Sequence, residues 1–342
     1  MMKPNNVYKI GNYIVYMNEV IGAGSYSKVY LGKCLNNEII QKYDIIKKRT
    51  VNGRIEDNIV AVKKIVPEEH PPKYQKMIDE ECNLMNSIKI NPHPNIISCY
   101  DVIDDLDTIY IIMEYCECGD FSSEIGFPMK DETIKYYLKQ IVNGVKYLDD
   151  NGIIHRDIKP KNLLLTDDKK IKICDFGLAK SKVGLSRIHT VCGSPLYMAP
   201  EMFSKNYYDT VDLWSIGIIM YEMVYGVNPL SKIRDLDELE DYMLNNKDEI
   251  IIPPTFKKKI FASNDCIILL KTLLTKESSK RLSLSKLCSD VWLNDGEFNV
   301  DNEIEYDRSE IQDNNNDKKN AEYDDKFDDQ SSVLIFTLED FE

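Results

Sequence analysis

Between Tyr13 and about Val66 apolar and polar positions alternate over short stretches, and the pattern predicts three strands with an inserted loop at about 36–58. The clearest stretch is Ile59-Val60-Ala61-Val62-Lys63, where period two puts Ala61 and Lys63 on one face. After the Pro71-Pro72 pair, which suits a helix start, Tyr74, Ile78, Met85 and Ile88 recur at helical spacing. Glu81 falls inside that apolar stripe, where a carboxylate is costly without a cation, so it is expected to pair with Lys63. Its neighbour Glu80 points elsewhere. Two further strands are predicted near Cys99 to Ile103 and Ile109 to Glu114. Beyond them the pattern turns helical, with segments near Asp131 to Asp150, Val211 to Tyr225, Leu236 to Asn246, Asn264 to Leu274 and Ser283 to Leu293. A β-rich part followed by a helical part is an α+β organisation.

At 342 residues with 43% hydrophobic content, the chain can fill two cores and carry an appendage. The apolar run Ile216 to Val224 is too short to cross a membrane and contains Glu222, so no membrane span is expected. No signal peptide is expected either. The nine cysteines are scattered and odd in number, and Cys116 and Cys118 lack the second pair that a zinc site needs. They read as reduced thiols of a cytoplasmic or nuclear protein. From Gly296 to Glu342, sixteen acidic residues face four basic ones, a net charge of −12 out of −14 for the whole chain, which leaves about −2 for the body. Acidity is therefore a property of residues 294–342, a tail without periodicity that reads as disordered.

The candidate chemistry is concentrated in His155-Arg156-Asp157-Ile158-Lys159-Pro160-Lys161-Asn162, followed by Asp175-Phe176-Gly177. A hydroxyl that attacks a terminal phosphate needs a carboxylate to accept its proton, and Asp157 is the candidate base. Asp175 and Asn162 supply hard oxygen ligands for magnesium, and Lys159 a mobile positive charge. HRDxKPxN with DFG at this spacing resembles the protein kinases, and the other elements of that family follow in order. Ile21-Gly22-Ala23-Gly24-Ser25-Tyr26-Ser27-Lys28-Val29 resembles the glycine-rich loop over the phosphates of ATP, with Ser27 where a third glycine is usual.

The resemblance implies a bilobal protein kinase fold, with an extension at 1–12, a small β-rich lobe at 13–113, a hinge at 114–118 and a larger helical lobe at 119–293. It implies ATP and Mg2+ as cofactors. Ala61 and Leu164 would enclose the adenine, Met113 would be the gatekeeper, and Glu114 and Cys116 would face the adenine edge. Lys63 would reach the α and β phosphates, and Glu81 would hold it there. Ala199-Pro200-Glu201 and Arg281 resemble a structural ion pair of the family, and Asp212 the residue that braces the catalytic loop. Lys159 is the serine/threonine kinase pattern, and Ser194 matches the residue tying a substrate platform to Asp157. Arg156 and Lys180 match two cations that gather a phosphate, here at Thr190, with Ser186 as second site. The expected partners are proteins with Ser or Thr acceptors, with no nucleic acid; oligomeric state stays open. A pseudokinase scaffold is the alternative, and the presence of the whole catalytic set argues against it.

Thr190-Val191-Cys192-Gly193-Ser194-Pro195-Leu196-Tyr197-Met198-Ala199-Pro200-Glu201 and Met113-Glu114-Tyr115-Cys116 look like the autophagy-initiating ULK group, with the calcium/calmodulin-dependent group next. No basic amphipathic helix follows Leu293, which argues against calmodulin control. The insert at 36–58, with Lys47-Lys48-Arg49, reads as a solvated hairpin or as a docking element for a partner or anionic surface. The tail ends in Ser331 to Phe341, a β-prone apolar run flanked by acids that is expected to dock on a partner or on the chain itself. Its Val333 to Phe336 is similar to SUMO-binding segments.

Overall fold

A computed structural model describes residues 6–24, 27–51, 54–182, 192–204, 207, 210–246, 250–253 and 262–296. The chain divides into two units. One comprises the residues up to Cys118 together with Cys174–Gly177; the other runs over Gly119–Ile173 and from Leu178 onward.

The first unit contains β1 (Val7–Ile10), β2 (Tyr13–Gly24), β3 (Ser27–Cys34), α1 (Asn37–Tyr43), β4 (Arg49–Val51), β5 (Arg54–Glu56), β6 (Ile59–Ile65), α2 (Gln75–Ile90), β7 (Cys99–Asp105) and β8 (Thr108–Met113). Six strands form one antiparallel sheet in the order β1-β2-β3-β6-β8-β7, while β4 and β5 pair separately. Alternation sorts the side chains of β6 between two cores. Val60 and Val62 join Tyr13, Val15, Tyr30 and Ile112, whereas Ile59 joins Tyr16 and Leu31. Because both faces are covered, the strand reads as a nearly continuous apolar run. The segment expected to precede the domain adds β1 to the sheet edge and buries Ile10.

The insert is the main departure from the sequence reading. Its hairpin β4–β5 exists, but a helix precedes it. Asn36 caps α1 by accepting from the N–H groups of Glu38 (2.9 Å) and Ile39 (3.2 Å), and the helix stops at Asp44 in the left-handed region with φ 51°. Neither element is merely solvated, since Ile39, Ile40 and Tyr43 of α1 pack half-buried against the core and Val51 of β4 is buried.

The second unit contains α3 (Asp131–Asp150), β9 (Ile153–Ile154), β10 (Leu163–Leu165), β11 (Ile171–Ile173), β12 (Lys180–Ser181), α4 (Pro200–Phe203), α5 (Val211–Tyr225), α6 (Leu236–Leu244), α7 (Asn264–Leu273), α8 (Leu284–Cys288) and α9 (Val291–Asn294). Helix α3 is amphipathic and buries Ile134, Leu138, Ile141, Val145 and Leu148 at helical spacing. By contrast, α5 buries every residue from Val211 to Val224, which explains an apolar run with no polar face. It ends at Gly226 in the left-handed region, φ 71°, with the glycine N–H bonded to Glu222 O. The single helix expected from Ser283 to Leu293 is two. Asp290 adopts extended backbone between them, and its carboxylate caps Leu293 N at 2.9 Å, starting α9 afresh. Among the described residues, no helix is long and apolar enough to cross a membrane.

Candidate active site

Each unit carries one cluster of the residues singled out above. In the first, Lys63 projects from the middle of β6 and meets Glu81 of α2, Nζ to Oε1 2.5 Å, with both side chains buried. The register follows from the stripe Ile78, Glu81, Met85 and Ile88, all buried on one face of α2, while Glu80 is only half-buried. Lys63 Nζ also lies 3.1 Å from Asp175 Oδ1, so one ammonium serves two carboxylates. Residues 174–177 belong to the first unit, although the chain on either side of them belongs to the second. Asp175 has φ 61°, an unusual backbone for a non-glycine residue that fixed surroundings must hold.

The neighbouring strands bring the expected adenine-facing residues together. Ala61 pairs in register with Met113, and Glu114 follows at the end of β8. The Glu114 carboxylate accepts from Ser98 Oγ (2.8 Å) and Ser98 N (3.2 Å). On the glycine-rich turn, Gly22 pairs with Val29, Ala23 with Lys28 and Gly24 with Ser27. Ser27 lies in β3 and also pairs with Ile65, so a strand residue suffices where the family pattern has its third glycine. Ser25 and Tyr26, at the tip, lie outside the described residues.

The second cluster is a loop wired around Asp157. Ser194 N donates to Asp157 Oδ1 at 2.8 Å, and Asn162 Nδ2 donates to Asp157 Oδ2 at 2.9 Å and to its backbone oxygen at 2.8 Å. Lys159 Nζ sits 3.0 Å from Asp157 Oδ2 and donates to Ser194 Oγ at 2.5 Å. The loop is held from below by Asp212 at the start of α5, whose carboxylate accepts from His155 N (2.9 Å) and Arg156 N (2.8 Å). That brace supports Arg156 at φ 68°, a conformation costing on the order of 1–3 kcal/mol. Leu164 is half-buried in β10 of this unit.

Arg156 is buried and engaged, donating to Leu178 O at 2.6 Å and to Tyr207 OH at 3.3 Å. Lys180 lies in β12, paired with Ile154. Thr190 and Ser186 lie outside the described residues, as does the acidic tail from 297 onward. Glu201 and Arg281 form a two-pronged pair, Nη1–Oε1 2.5 Å and Nη2–Oε2 2.8 Å, with the guanidinium fully buried over Trp214.

Sequence reasoning missed three features here. Gly193, at φ +118°, lets the chain pass so close to the loop that an added Cβ would sit 2.8 Å from Arg156 O. A glycine beside Ser194 was the available signal. Tyr207 meets Arg156 across 51 residues, with no local signal at all. Glu222, inside α5, accepts from Tyr197 OH (2.9 Å) and Asn228 Nδ2 (2.9 Å) through Oε1 while Oε2 is buried without a partner. Burial pushes its carboxyl up to about 7, against the lowering by those two donors.

The donor chemistry fits magnesium and a nucleotide. Asp175 offers carboxylate oxygens on a side chain 45% exposed, and Asn162, having used its amide N–H groups on Asp157, offers its amide oxygen. Lys63 offers a positive charge on the same unit as the glycine-rich turn.

A two-unit chain with a Lys–Glu–Asp cluster in a β-rich unit and an Asp–Lys–Asn loop in a helical one has the make-up of a protein kinase. The protein kinase domain family matches residues 16–293, and the chain belongs to that family. Among curated relatives, it is 36% identical over 298 residues to the serine/threonine-protein kinase atg1 of Dictyostelium discoideum, covering 84% of this chain and 40% of that protein. It is 32% identical over 293 residues to ATG1c and 34% over 292 residues to ATG1b of Arabidopsis thaliana, covering 84% of this chain and 36% and 37% of those proteins. The resemblance to the Atg1/ULK type thus holds across the kinase region. The chain spans about two fifths of the length of these relatives.

Proposed function

We propose that this chain transfers the γ-phosphoryl group of MgATP to serine or threonine hydroxyls of proteins. The observation that carries the reading is the wiring of Asp157. One oxygen is fixed by Ser194 N and the other by Asn162 and Lys159, so the carboxylate is oriented before any acceptor arrives. Bound MgATP supplies the transferable phosphoryl group and the metal's charge. Asp157 accepts the proton of the acceptor hydroxyl as its oxygen bonds to phosphorus and the bond to the leaving diphosphate breaks. Lys159, held between Asp157 and Ser194, is placed to balance the charge of the phosphoryl group. Lys63, fixed by Glu81, takes the α and β phosphates; Asp175 and Asn162 take the metal. Glu114 and Cys116 offer backbone groups to the adenine beside Ala61, with Met113 behind it.

Phosphorylation at Thr190 raises activity in this reading, with Arg156 and Lys180 as receiving cations. The relatives' serine/threonine-protein kinase names support the acceptor class, and their Atg1 names support a place in autophagy initiation. Nine free thiols support a reducing compartment, cytoplasmic or nuclear, which imaging of the tagged chain checks. The tail recruits a partner through its apolar end, and pull-down with and without residues 297–342 checks that. The deciding experiment is transfer of labelled γ-phosphate to arrayed peptides. Wild type should label Ser or Thr peptides, and Asp157→Asn should be slower by roughly 10²–10⁴-fold. A wild type that binds MgATP and labels nothing is a scaffold.

A further inference from the structure

The insert at 36–58 is fastened to the first unit at both ends. Helix α1 packs Ile39, Ile40 and Tyr43 on the core that holds Tyr13 and Tyr30, with the Tyr43 ring 5.0 Å from Tyr100. Val51 of the hairpin enters the other core beside Tyr16, Leu31, Ile59 and Tyr115. Main-chain bonds close the strap, from Cys34 N to Asn58 O (2.9 Å) and from Ile59 N to Lys47 O (3.1 Å). Between these anchors stand Lys47 and Arg49, and both reach the segment 114–118 that follows β8.

Lys47 Nζ lies 2.7 Å from Glu117 Oε1, and Arg49 donates to the Tyr115 hydroxyl with its guanidinium carbon 5.3 Å from that ring's centre. The other Glu117 oxygen is buried without a hydrogen-bond partner, so Lys47 is a charge that this carboxylate needs. Glu114 is tied to Ser98, while Tyr115 and Glu117 are tied to the insert. Two members of the basic run thus meet side chains of their own chain, Glu117 and Tyr115.

We infer that the insert is a brace for the 114–118 segment, with Arg49 and Lys47 as positioning residues for the adenine end of the nucleotide. The inference rests on the kinase reading above, in which Glu114 and Cys116 present backbone groups to adenine. Tyr115 lies between those two residues and Glu117 directly after them, so side chains fixed by the insert set how the intervening peptides are turned. Hydrogen bonds weaken steeply as their angle falls away from linear, so a small rotation here lowers adenine affinity. Lys63, the side chain for the phosphates on that reading, is paired with Glu81 and Asp175.

The test uses the full chain as wild type, Arg49→Met, Lys47→Met, the double variant of these two, Tyr115→Phe, and Arg49→Met combined with Tyr115→Phe. Tyr115→Phe keeps the ring in its core and removes only the hydroxyl. Three readouts are taken: displacement of a fluorescent ATP analogue by adenosine, amide hydrogen exchange at 114–118, and melting temperature. The double variant should bind adenosine roughly 5–20-fold more weakly, the loss of about one hydrogen bond and one ion pair. Its 114–118 amides should exchange faster, and its KM for ATP should rise by more than kcat falls. Arg49→Met and Tyr115→Phe should have similar effects that do not add when combined. Unchanged adenosine affinity in the double variant and in Tyr115→Phe, even with a lower melting temperature, assigns the insert a structural role and overturns the brace while the kinase reading stands. A wild type that binds neither ATP nor adenosine overturns both.

Discussion

In the first unit, Lys63, Glu81 and Asp175 come from β6, α2 and a segment 112 residues from Lys63, and they meet through charged side chains. In the second, Asp157 and Asn162 are 5 residues apart, and the loop that carries them hangs on backbone N–H groups of His155, Arg156 and Ser194. Charges on separate elements part whenever those elements shift, whereas a carboxylate held by backbone donors moves only if the loop itself unfolds. The first arrangement is suited to being made and broken, and the second to staying in place. On the proposed function, the carboxylate that would accept a proton is thus in the fixed part, and the cation that would position phosphates in the adjustable one.

The comparison is tested most severely by removing the charges of the first cluster. Lys63→Met and Glu81→Gln should each lower phosphoryl transfer by about 10²-fold or more, and the double variant should fall far short of the product of the two losses. Peptide-transfer rates over the cycle check it; independent, multiplying effects would mean that the pair does not act as a unit. In the second unit, breaking the Glu201–Arg281 pair should cost stability rather than chemistry. Arg281→Met should destabilise by about 3–5 kcal/mol because the Glu201 carboxylate loses its buried partner, and adding Glu201→Gln should restore part of that. Urea unfolding of the single and double variants reads both numbers.

A smaller effect depends on pH. Glu222 has its carboxyl raised from 4.5 to about 7 by burial, so the unfolded chain releases this proton first as pH rises. Stability from this group is complete below about 4.5, falls between there and about 7, and is gone above. Glu222→Gln should therefore become more stable relative to wild type from pH 5 to pH 8, by on the order of 2–3 kcal/mol. A constant difference across that range in denaturant melts would refute the titration. The smallest effect is expected at Glu80. Glu80→Gln should change the transfer rate less than about threefold, since side chains off the buried stripe contribute little, and a loss equal to that of Glu81→Gln would show that α2 sits in another register.

Several of these features were legible beforehand for identifiable reasons. The stripe around Glu81 carries a period long enough to set both element and face, and the length of the mostly apolar run in α5 marked a helix buried all round. The Asp157 loop could be read because its members lie within one turn of chain. Helix α1 was missed although Asn36, Ile39, Ile40 and Tyr43 have capping and spacing signals, because a helix this short is weak in isolation. The break at Asp290 was missed because a cap and an ordinary helical residue look alike until the backbone turns. The contact of Arg49 with Tyr115 spans 66 residues, and nothing in either neighbourhood announces the other.

The sequence by itself determined which chemical groups are present, the order in which they occur, and which face of a strand or helix each occupies. These depend on backbone periods of two and 3.6 residues and on motifs a few residues long. Tertiary structure alone decided that Lys63 would serve both Glu81 and Asp175, that Asp212 would hold the backbone of His155 and Arg156, and that the insert would fasten onto 114–118. Such meetings join residues far apart in the chain. They form only when whole elements pack and exclude water, so their partners are chosen by the assembled cores rather than by neighbours in sequence.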